Sequence, residues 1–78
     1  MSGTERNPVN RKKLPGSKWT AVRPQRREKH FIVLDWVRDD DGLPTDKVLL
    51  EAILTRSVRE LDWRELGDSE IWSIGWHP

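Results

Sequence analysis

The residues best placed to do chemistry are cations interleaved with a tryptophan in the front part of the sequence. They are Lys18, Trp19, Arg23, Arg26, Arg27 and Lys29. This combination suits single-stranded nucleic acid, because bases stack on an indole for about 1–3 kcal/mol each while lysine and arginine follow the phosphates. The basic run at residues 11–13 would add non-specific affinity. The group is therefore a candidate nucleic-acid interface, whose affinity would fall steeply as salt rises.

The same residues also have a purely structural interpretation. Trp19 shares a strand face with Ala21 and would then belong to the core. Arg26 and Arg27 would pair with acidic groups further along the chain. No aromatic ladder of the RNP or cold-shock type accompanies the group. Both interpretations stay open on the sequence.

A second candidate surface lies near the other end of the sequence, where Trp72 and Trp76 flank Ile74. These side chains either pack back over the fold or leave an exposed aromatic patch, and Trp is favoured at interface hot spots. An edge strand of a small sheet would offer a partner another docking mode. The function we predict first is a binding module for a protein partner or a second copy of the chain, with nucleic-acid binding as the alternative.

Groups suited to catalysis or metal binding are sparse. The sequence has no Cys, and its two histidines, His30 and His77, lie far apart. The acidic run at residues 39–41 lacks the alternating ligands and distal Glu of a calcium loop and is typical of a solvated turn. No Gly-x-Ser-x-Gly motif occurs, and no two carboxylates form a matched acid–base pair. We therefore expect neither enzymatic activity nor a cofactor.

Length and charge bound the possible partners. The 78 residues suffice for one small domain. The longest apolar run, at residues 31–34, is too short for a transmembrane helix or a signal peptide, so we expect a cytoplasmic protein with no membrane partner. Residues 1–29 hold nine basic and two acidic side chains, a net charge of +7, whereas residues 30–78 have a net charge of −6. Such asymmetry bears on partners and not on the fold.

Composition divides the chain into residues 1–16 and residues 17–78. The first range is rich in Gly, Pro and Asn and has few apolar residues, so it predicts a disordered basic arm, of which residues 1–15 should be dispensable for folding. The second range is a single small tryptophan-rich domain. A domain of about 60 residues is near the lower limit of independent stability, so a dense core is needed. The five Trp supply large side chains for it.

The pattern of apolar residues predicts the first two strands. Residues 18–23 alternate, and residues 29–38 are rich in β-branched and aromatic side chains. Period-two alternation would place four residues of the second strand on one face. They are His30, Ile32, Leu34 and Trp36.

The following stretch, residues 47–55, is ambiguous. Its composition favours a helix, which Thr45 would cap, but its apolar residues also alternate as in a strand. Further along, Asp62 and Glu65 have the spacing of a capping box, which predicts a helical turn at residues 63–66.

Four blocks of the sequence agree in order and spacing with a known family. They are residues 17–22 with Pro24 and residues 27–31, then residues 50–55, 61–66 and 72–76. Over residues 14–76 the chain resembles a family of small bacterial tryptophan-rich proteins of unknown function. The resemblance implies a stand-alone soluble bacterial domain with no assigned activity, and it points to no catalytic residue.

The resemblance also decides the ambiguous stretch, because the block at residues 50–63 is similar to a β-hairpin that closes into a short helical turn. We therefore predict a mainly β fold with a short C-terminal helical turn. Its strands are predicted at residues 18–23, 29–38, 47–55 and 58–62. They would form a small antiparallel sheet, either open or curled as in an SH3-type barrel. A helix at about residues 46–56, giving an α+β fold, is the alternative.

Overall fold

The computed structural model describes residues 6–78, which form one open sheet of five antiparallel strands. The strands are β1 (Lys18–Gln25), β2 (Glu28–Arg38), β3 (Pro44–Ala52), β4 (Val58–Asp62) and β5 (Trp72–Ile74). Their order across the sheet is β4-β3-β2-β1-β5. The prediction of a mainly β, antiparallel fold is confirmed, and the first four strands match the predicted ones closely.

Two alternatives raised by the sequence are wrong. Residues 44–52 form β3 and not a helix, because Val48, Leu50 and Ala52 alternate into the core and pair with β2, and such packing overrides helix propensity. The sheet does not close into a barrel: β4 and β5 lie at opposite edges and do not pair with each other within residues 6–78. β5 was not predicted, since a strand of three residues is too short to show an alternating pattern.

The core lies on one face of the sheet, which we call the core face. Directly paired residues of antiparallel strands point to the same side, so the pairs Trp19 with Phe31 and Val33 with Leu50 define this face. The buried cluster consists of Leu14, Trp19, Phe31, Val33, Val48, Leu50, Ala52, Leu66 and Trp72. The opposite side, on which Thr20 pairs with His30, is the outer face.

A bulge in β2 changes which face Trp36 joins. The register with β3 shifts between Val33 and Asp35, so that Trp36 pairs with the buried Val48. Trp36 therefore packs against the core cluster, although strict alternation had placed it with Ile32 on the other side. One extra residue in a strand is enough to invert the predicted face of everything beyond it.

The predicted helical turn is present as a 3-10 turn, Trp63–Gly67, between β4 and β5. Asp62 caps it by accepting a hydrogen bond from the backbone N–H of Arg64 at 3.0 Å. The Arg64 guanidinium also donates to both carboxylate oxygens, at 3.0 and 2.7 Å. These bonds lower the pKa of Asp62 to about 2. The turn brings Leu66 onto the core face, where it is fully buried.

Residues 6–16 pack against the sheet, which corrects the prediction of a disordered arm over this range; residues 1–5 of that arm lie outside the described part. Leu14 is 2% exposed within the core. Asn7 donates from its backbone to the carbonyl of Gly67 at 2.8 Å and from its side chain to that of Trp72 at 2.7 Å. Apolar content alone missed the segment, because one buried leucine and a few hydrogen bonds to backbone carbonyls of Gly67 and Trp72 suffice to hold it.

The segment covers one end of the core face, which we call the closed end. There the guanidinium of Arg11 lies 5.4 Å from the ring centre of Trp36 and 5.1 Å from that of Trp63. Both rings pack against the core cluster. The cation is attracted to the negative faces of the two rings, so a basic residue helps to seal this end.

The last residues, 75–78, return across the outer face. Thr20 is buried and donates to the carbonyl of Gly75 at 2.6 Å. The indole Nε1 of Trp76 donates to the carbonyl of Phe31 at 2.9 Å. No helix among the described residues is both long and apolar enough to cross a membrane.

Candidate functional site

The tryptophan of the predicted nucleic-acid interface is a core residue. Trp19 is 3% exposed, and its Nε1 donates to the hydroxyl of Ser17 at 2.8 Å. Its ring therefore has no free face on which a base would stack, and the structural interpretation of this residue is the one that the fold supports.

The cations of that interface separate onto different surfaces. Lys18 lies on the outer face with its ammonium 4.6 Å from the ring centre of Trp76. Lys29 donates to the carbonyl of Pro78, also at the returning C-terminal segment. Arg27 occupies the β1–β2 turn. Only Arg23 and Arg26 come together, in a groove on the core face.

The two tryptophans of the second predicted surface lie on opposite faces. Trp72 is 2% exposed and packs edge-on against Phe31 in the core, with ring centres 5.1 Å apart. Trp76 is 42% exposed on the outer face, 6.0 Å from the ring of His30. They therefore do not form a shared aromatic patch, which was one of the two arrangements that the sequence left open.

A groove of about 770 Å³ lies at the end of the core face away from the closed end. Its lining residues are Ala21, Arg23, Gln25, Arg26, Glu28, Phe31, Arg59, Leu61, Glu65, Asp68, Glu70, Ile71 and Trp72. The rings of Phe31 and Trp72, which meet at 86°, supply its aromatic part, and charged side chains make up much of the rest. We take this groove as the candidate site.

Arg59 lies over the aromatic part of the groove. Its guanidinium is 5.2 Å from the ring centre of Phe31 and 5.7 Å from that of Trp72. β4 puts it there, because Arg59 pairs with the buried Leu50 and so points to the core face. An arginine at an inward position of a strand is held by the ring faces, with its edge left free for hydrogen bonding.

Glu28 anchors the β3–β4 loop to the start of β2. Its carboxylate accepts hydrogen bonds from the hydroxyls of Ser57 and Thr55. These bonds, with the nearby positive charges of Arg59 and Arg26, hold the pKa of Glu28 below its ordinary value. Its carboxylate is thus already hydrogen-bonded to two side chains, unlike those of Glu65 and Glu70.

The remaining charges of the groove are not paired with one another. The described residues give Arg23, Arg26 and Arg59 no ion pair and no side-chain hydrogen bond. The carboxylates of Glu65 and Glu70 likewise form no ion pair within residues 6–78. Asp68 is engaged only with a backbone N–H, that of Glu70, at 3.0 Å. The groove therefore holds both signs of charge with most of their hydrogen-bonding capacity unused.

Two further features lie at the groove, of which the first recurs at Arg56 in the β3–β4 loop. Arg26 and Arg27 have φ angles of 54° and 63°, a left-handed turn that normally selects Asn or Gly. The Nε1 of Trp72 is buried and has no hydrogen-bond acceptor among the described residues. Both features lower the stability of the fold. An unpaired buried donor costs about 1–3 kcal/mol.

Sequence reasoning found Arg23 and Arg26 but missed most of the groove. Glu65 was assigned to a capping box, yet only Asp62 caps the turn, and the Glu65 side chain lines the groove. Asp68 and Glu70 come from a loop that no pattern singles out. Arg59 carried a usable signal, because an arginine stands two residues before Leu61 on the same face of a predicted strand.

No cluster of three or more His, Cys, Asp or Glu side chains that could hold a metal ion occurs in the part of the chain that the structure describes. The two histidines lie near each other on the outer face, where Nε2 of His30 donates to the carbonyl of His77.

Comparison with known proteins gives one match. Residues 17–77 match the model of a family described as "Tryptophan-rich protein (DUF2389)". No curated protein and no solved structure matches the chain.

Proposed function

The chain belongs to this tryptophan-rich family, and from that premise we propose that it is a small binding module that docks a partner protein in the groove of the core face. The observation that carries the proposal is the combination of apolar side chains, among them Ile71, which is 45% exposed, with uncommitted charges of both signs in one concavity. Arginine is enriched among the residues that dominate the binding energy of protein interfaces.

The charge pattern favours a protein over a nucleic acid. A phosphate chain following Arg23 and Arg26 would also meet Glu65, Asp68 and Glu70, which repel it. Three of the other cations at the front of the chain have internal contacts, since Arg11 and Lys18 lie over tryptophan rings and Lys29 donates to the carbonyl of Pro78. Nucleic-acid binding is therefore kept only as an outcome of the test.

We propose a binding role without catalysis or a cofactor. Hydroxyl hydrogen bonds from Ser57 and Thr55 explain the lowered pKa of the Glu28 carboxylate, so this shift needs no catalytic interpretation. A bacterial cytoplasm is the setting that we propose for this module.

Site-specific photo-crosslinking in the natural host cell tests the proposal. A benzophenone amino acid replaces Gln25, which lines the groove. The matched control carries it at Leu43, which is 60% exposed in the β2–β3 turn, and a third variant carries it at Trp76 on the outer face. We expect a discrete protein adduct from position 25 alone.

Three results would contradict the proposal. Adducts of equal yield at positions 25 and 43 would show non-selective contact. Nuclease-sensitive adducts at position 25 would replace the protein partner by a nucleic acid, and their yield should then fall steeply between low and physiological salt. A discrete adduct from position 76 alone would move the interface to the outer face.

A further inference from the structure

The charges of the groove are segregated by structural element. The cations Arg23, Arg26 and Arg59 come from β1, the β1–β2 turn and β4. The carboxylates that form no ion pair within residues 6–78 come from residues 63–71, the segment that crosses from β4 to β5. They are Glu65, Asp68 and Glu70. Glu28 lies among the cations, but its carboxylate is already hydrogen-bonded by Ser57 and Thr55.

A groove with two charged sides selects against uniformly charged ligands. A polyanion satisfies Arg23 and Arg26 and is repelled by Glu65 and Glu70, and a polycation meets the reverse problem. A ligand that matches both sides must itself carry both signs, held apart by a distance comparable to the width of the groove. Guanidinium groups without partners can offer a carboxylate two parallel hydrogen bonds.

The apolar lining of the groove favours an apolar group between the two charges. Phe31 and Trp72 close its base, 3% and 2% exposed, and Ile71, which is 45% exposed, is the apolar side chain that the groove presents to a ligand. A peptide supplies all three components in one chain: an acidic side chain, an apolar side chain and a basic side chain, with backbone carbonyls between them.

We infer that the groove binds a polypeptide segment with segregated charges, its carboxylates against Arg23 and Arg26, its basic side chains against Glu65 and Glu70, and an apolar side chain between them. This inference rests on the proposed function and names the chemistry of the partner. The segregation makes binding depend on charge order as well as on composition, which is the property that the experiment measures.

Fluorescence anisotropy with labelled eight-residue peptides and the full chain tests the inference. Two peptides carry a central Leu-Phe pair with glutamates on one side and lysines on the other, one in each order along the chain. Three comparison peptides keep the Leu-Phe pair and carry alternating glutamate and lysine, glutamate alone, or lysine alone. We expect one of the segregated peptides to bind at least about tenfold more tightly than every comparison peptide, since each satisfied charged hydrogen bond is worth about a factor of ten.

The β1–β2 turn offers a matched pair of variants. Arg26 and Arg27 are adjacent, carry the same charge and share the left-handed conformation, but only Arg26 lines the groove. Arg26→Asn should weaken the segregated peptide by about tenfold, whereas Arg27→Asn should change its affinity less than about twofold. Asn tolerates the positive φ, so both variants should fold.

A second pair tests the acidic side independently. Glu65→Gln should weaken the segregated peptide about three- to tenfold, while Glu60→Gln, on the outer face of β4, should leave its affinity unchanged. The glutamate-only peptide should instead bind Glu65→Gln more tightly than the parent, because a repulsive carboxylate is gone.

The outcomes separate this inference from the proposed function. Equal binding of segregated and alternating peptides, or no binding by any of them, would overturn the inference, and a protein adduct at position 25 would leave the proposed function standing. Tightest binding of the glutamate-only peptide would show a simple anion site and also overturn it. Displacement of the peptide by a single-stranded oligonucleotide that is itself sensitive to Arg26→Asn would overturn both.

Discussion

The two ends of the core face differ in the arginines that they leave unpaired. At the closed end, Arg11 lies over the rings of Trp36 and Trp63, and residues 6–16 cover the cluster. At the groove, Arg59 likewise lies over aromatic rings, but Arg23 and Arg26 have neither a ring nor an ion-pair partner among the described residues. The same residue type therefore stabilises the fold at one end and remains available to a ligand at the other.

This difference separates the part of the domain that adds stability from the part that is open to a ligand. Cations over tryptophan rings at the closed end add stability that a small core needs. Several features that lower stability lie at the groove: a left-handed turn at Arg26 and Arg27, a buried indole donor without acceptor among the described residues, and unpaired charges. Local costs of this kind collect at functional sites. Substitutions at the two ends should accordingly differ in kind, affecting stability at one and binding at the other.

The largest effect is expected from Leu14→Ala at the closed end. Leu14 is 2% exposed, and truncating a buried leucine costs about 2–5 kcal/mol, a large part of the stability of a domain this small. Urea denaturation followed by tryptophan fluorescence measures the loss. Leu43→Ala, at a position 60% exposed, is the matched control and should unfold as the parent does. An unchanged midpoint for Leu14→Ala would contradict its place in the core and would favour the prediction from the sequence that residues 1–15 are dispensable for folding.

A smaller loss is expected from Arg11→Gln. Removing a cation that lies over the faces of two half-buried rings should lower the free energy of unfolding by about 1 kcal/mol. Lys12→Gln, in the same 3-10 turn (Arg11–Lys13), removes the same charge and should change stability by less than about 0.5 kcal/mol. If the two variants lose equal stability in urea melts, net charge and not ring contact explains the role of Arg11.

The free energy of unfolding at acid pH should report the interaction of Asp62 with Arg64 at the closed end. Its pKa is about 2 in the folded protein, below its ordinary value of 3.8, because the Arg64 guanidinium and backbone donate to it. A depressed pKa contributes stability that is present above the unfolded value and is lost as pH falls through the folded value, so the loss should occur between about pH 4 and pH 2. Carboxyl carbon shifts in a pH titration measure this directly.

Asp62→Asn is the control for that titration, since it removes the titrating group and should flatten the stability profile over the same interval. Titration of the Asp62 carboxyl near pH 4 in the folded protein would contradict the Arg64 interaction.

The smallest stability change is expected in the groove. Arg26→Asn should alter the free energy of unfolding by less than about 0.5 kcal/mol, because the side chain is exposed and forms no bond with the described residues. Thermal melts by circular dichroism are sufficient to measure it. A loss of stability as large as that of Arg11→Gln would mean that Arg26 is a structural residue, and the contrast between the two ends would fail.

Local patterns predicted the strands but not the contacts between distant segments. Alternation identified β2, and the family resemblance turned residues 47–55 from a helix into β3. The bulge after Val33 was invisible, because it depends on how β2 registers with β3, and it moved Trp36 to the core face. The packing of Leu14 was missed because a segment with few apolar residues can still dock through one of them.

The candidate site was predicted only in part for the same reason. Arg23 and Arg26 are close in sequence and stood out as a basic run, whereas Arg59 and Glu65 reach the groove through pairing and chain crossing between remote elements. Exposure of the tryptophans followed no local rule: Trp72 and Trp76 are four residues apart, yet one is buried and the other half exposed on the opposite face.

The most direct test of this contrast uses the five indole N–H signals of the ¹⁵N-labelled full chain as reporters of the two ends. Addition of the segregated peptide should shift the indole signal of Trp72, which lines the groove, and leave those of Trp36 and Trp63 at the closed end in place. The shift should vanish in Arg26→Asn and persist in Arg27→Asn. Movement of the Trp36, Trp63 or Trp76 signals with Trp72 unchanged would contradict the assignment of binding to the groove.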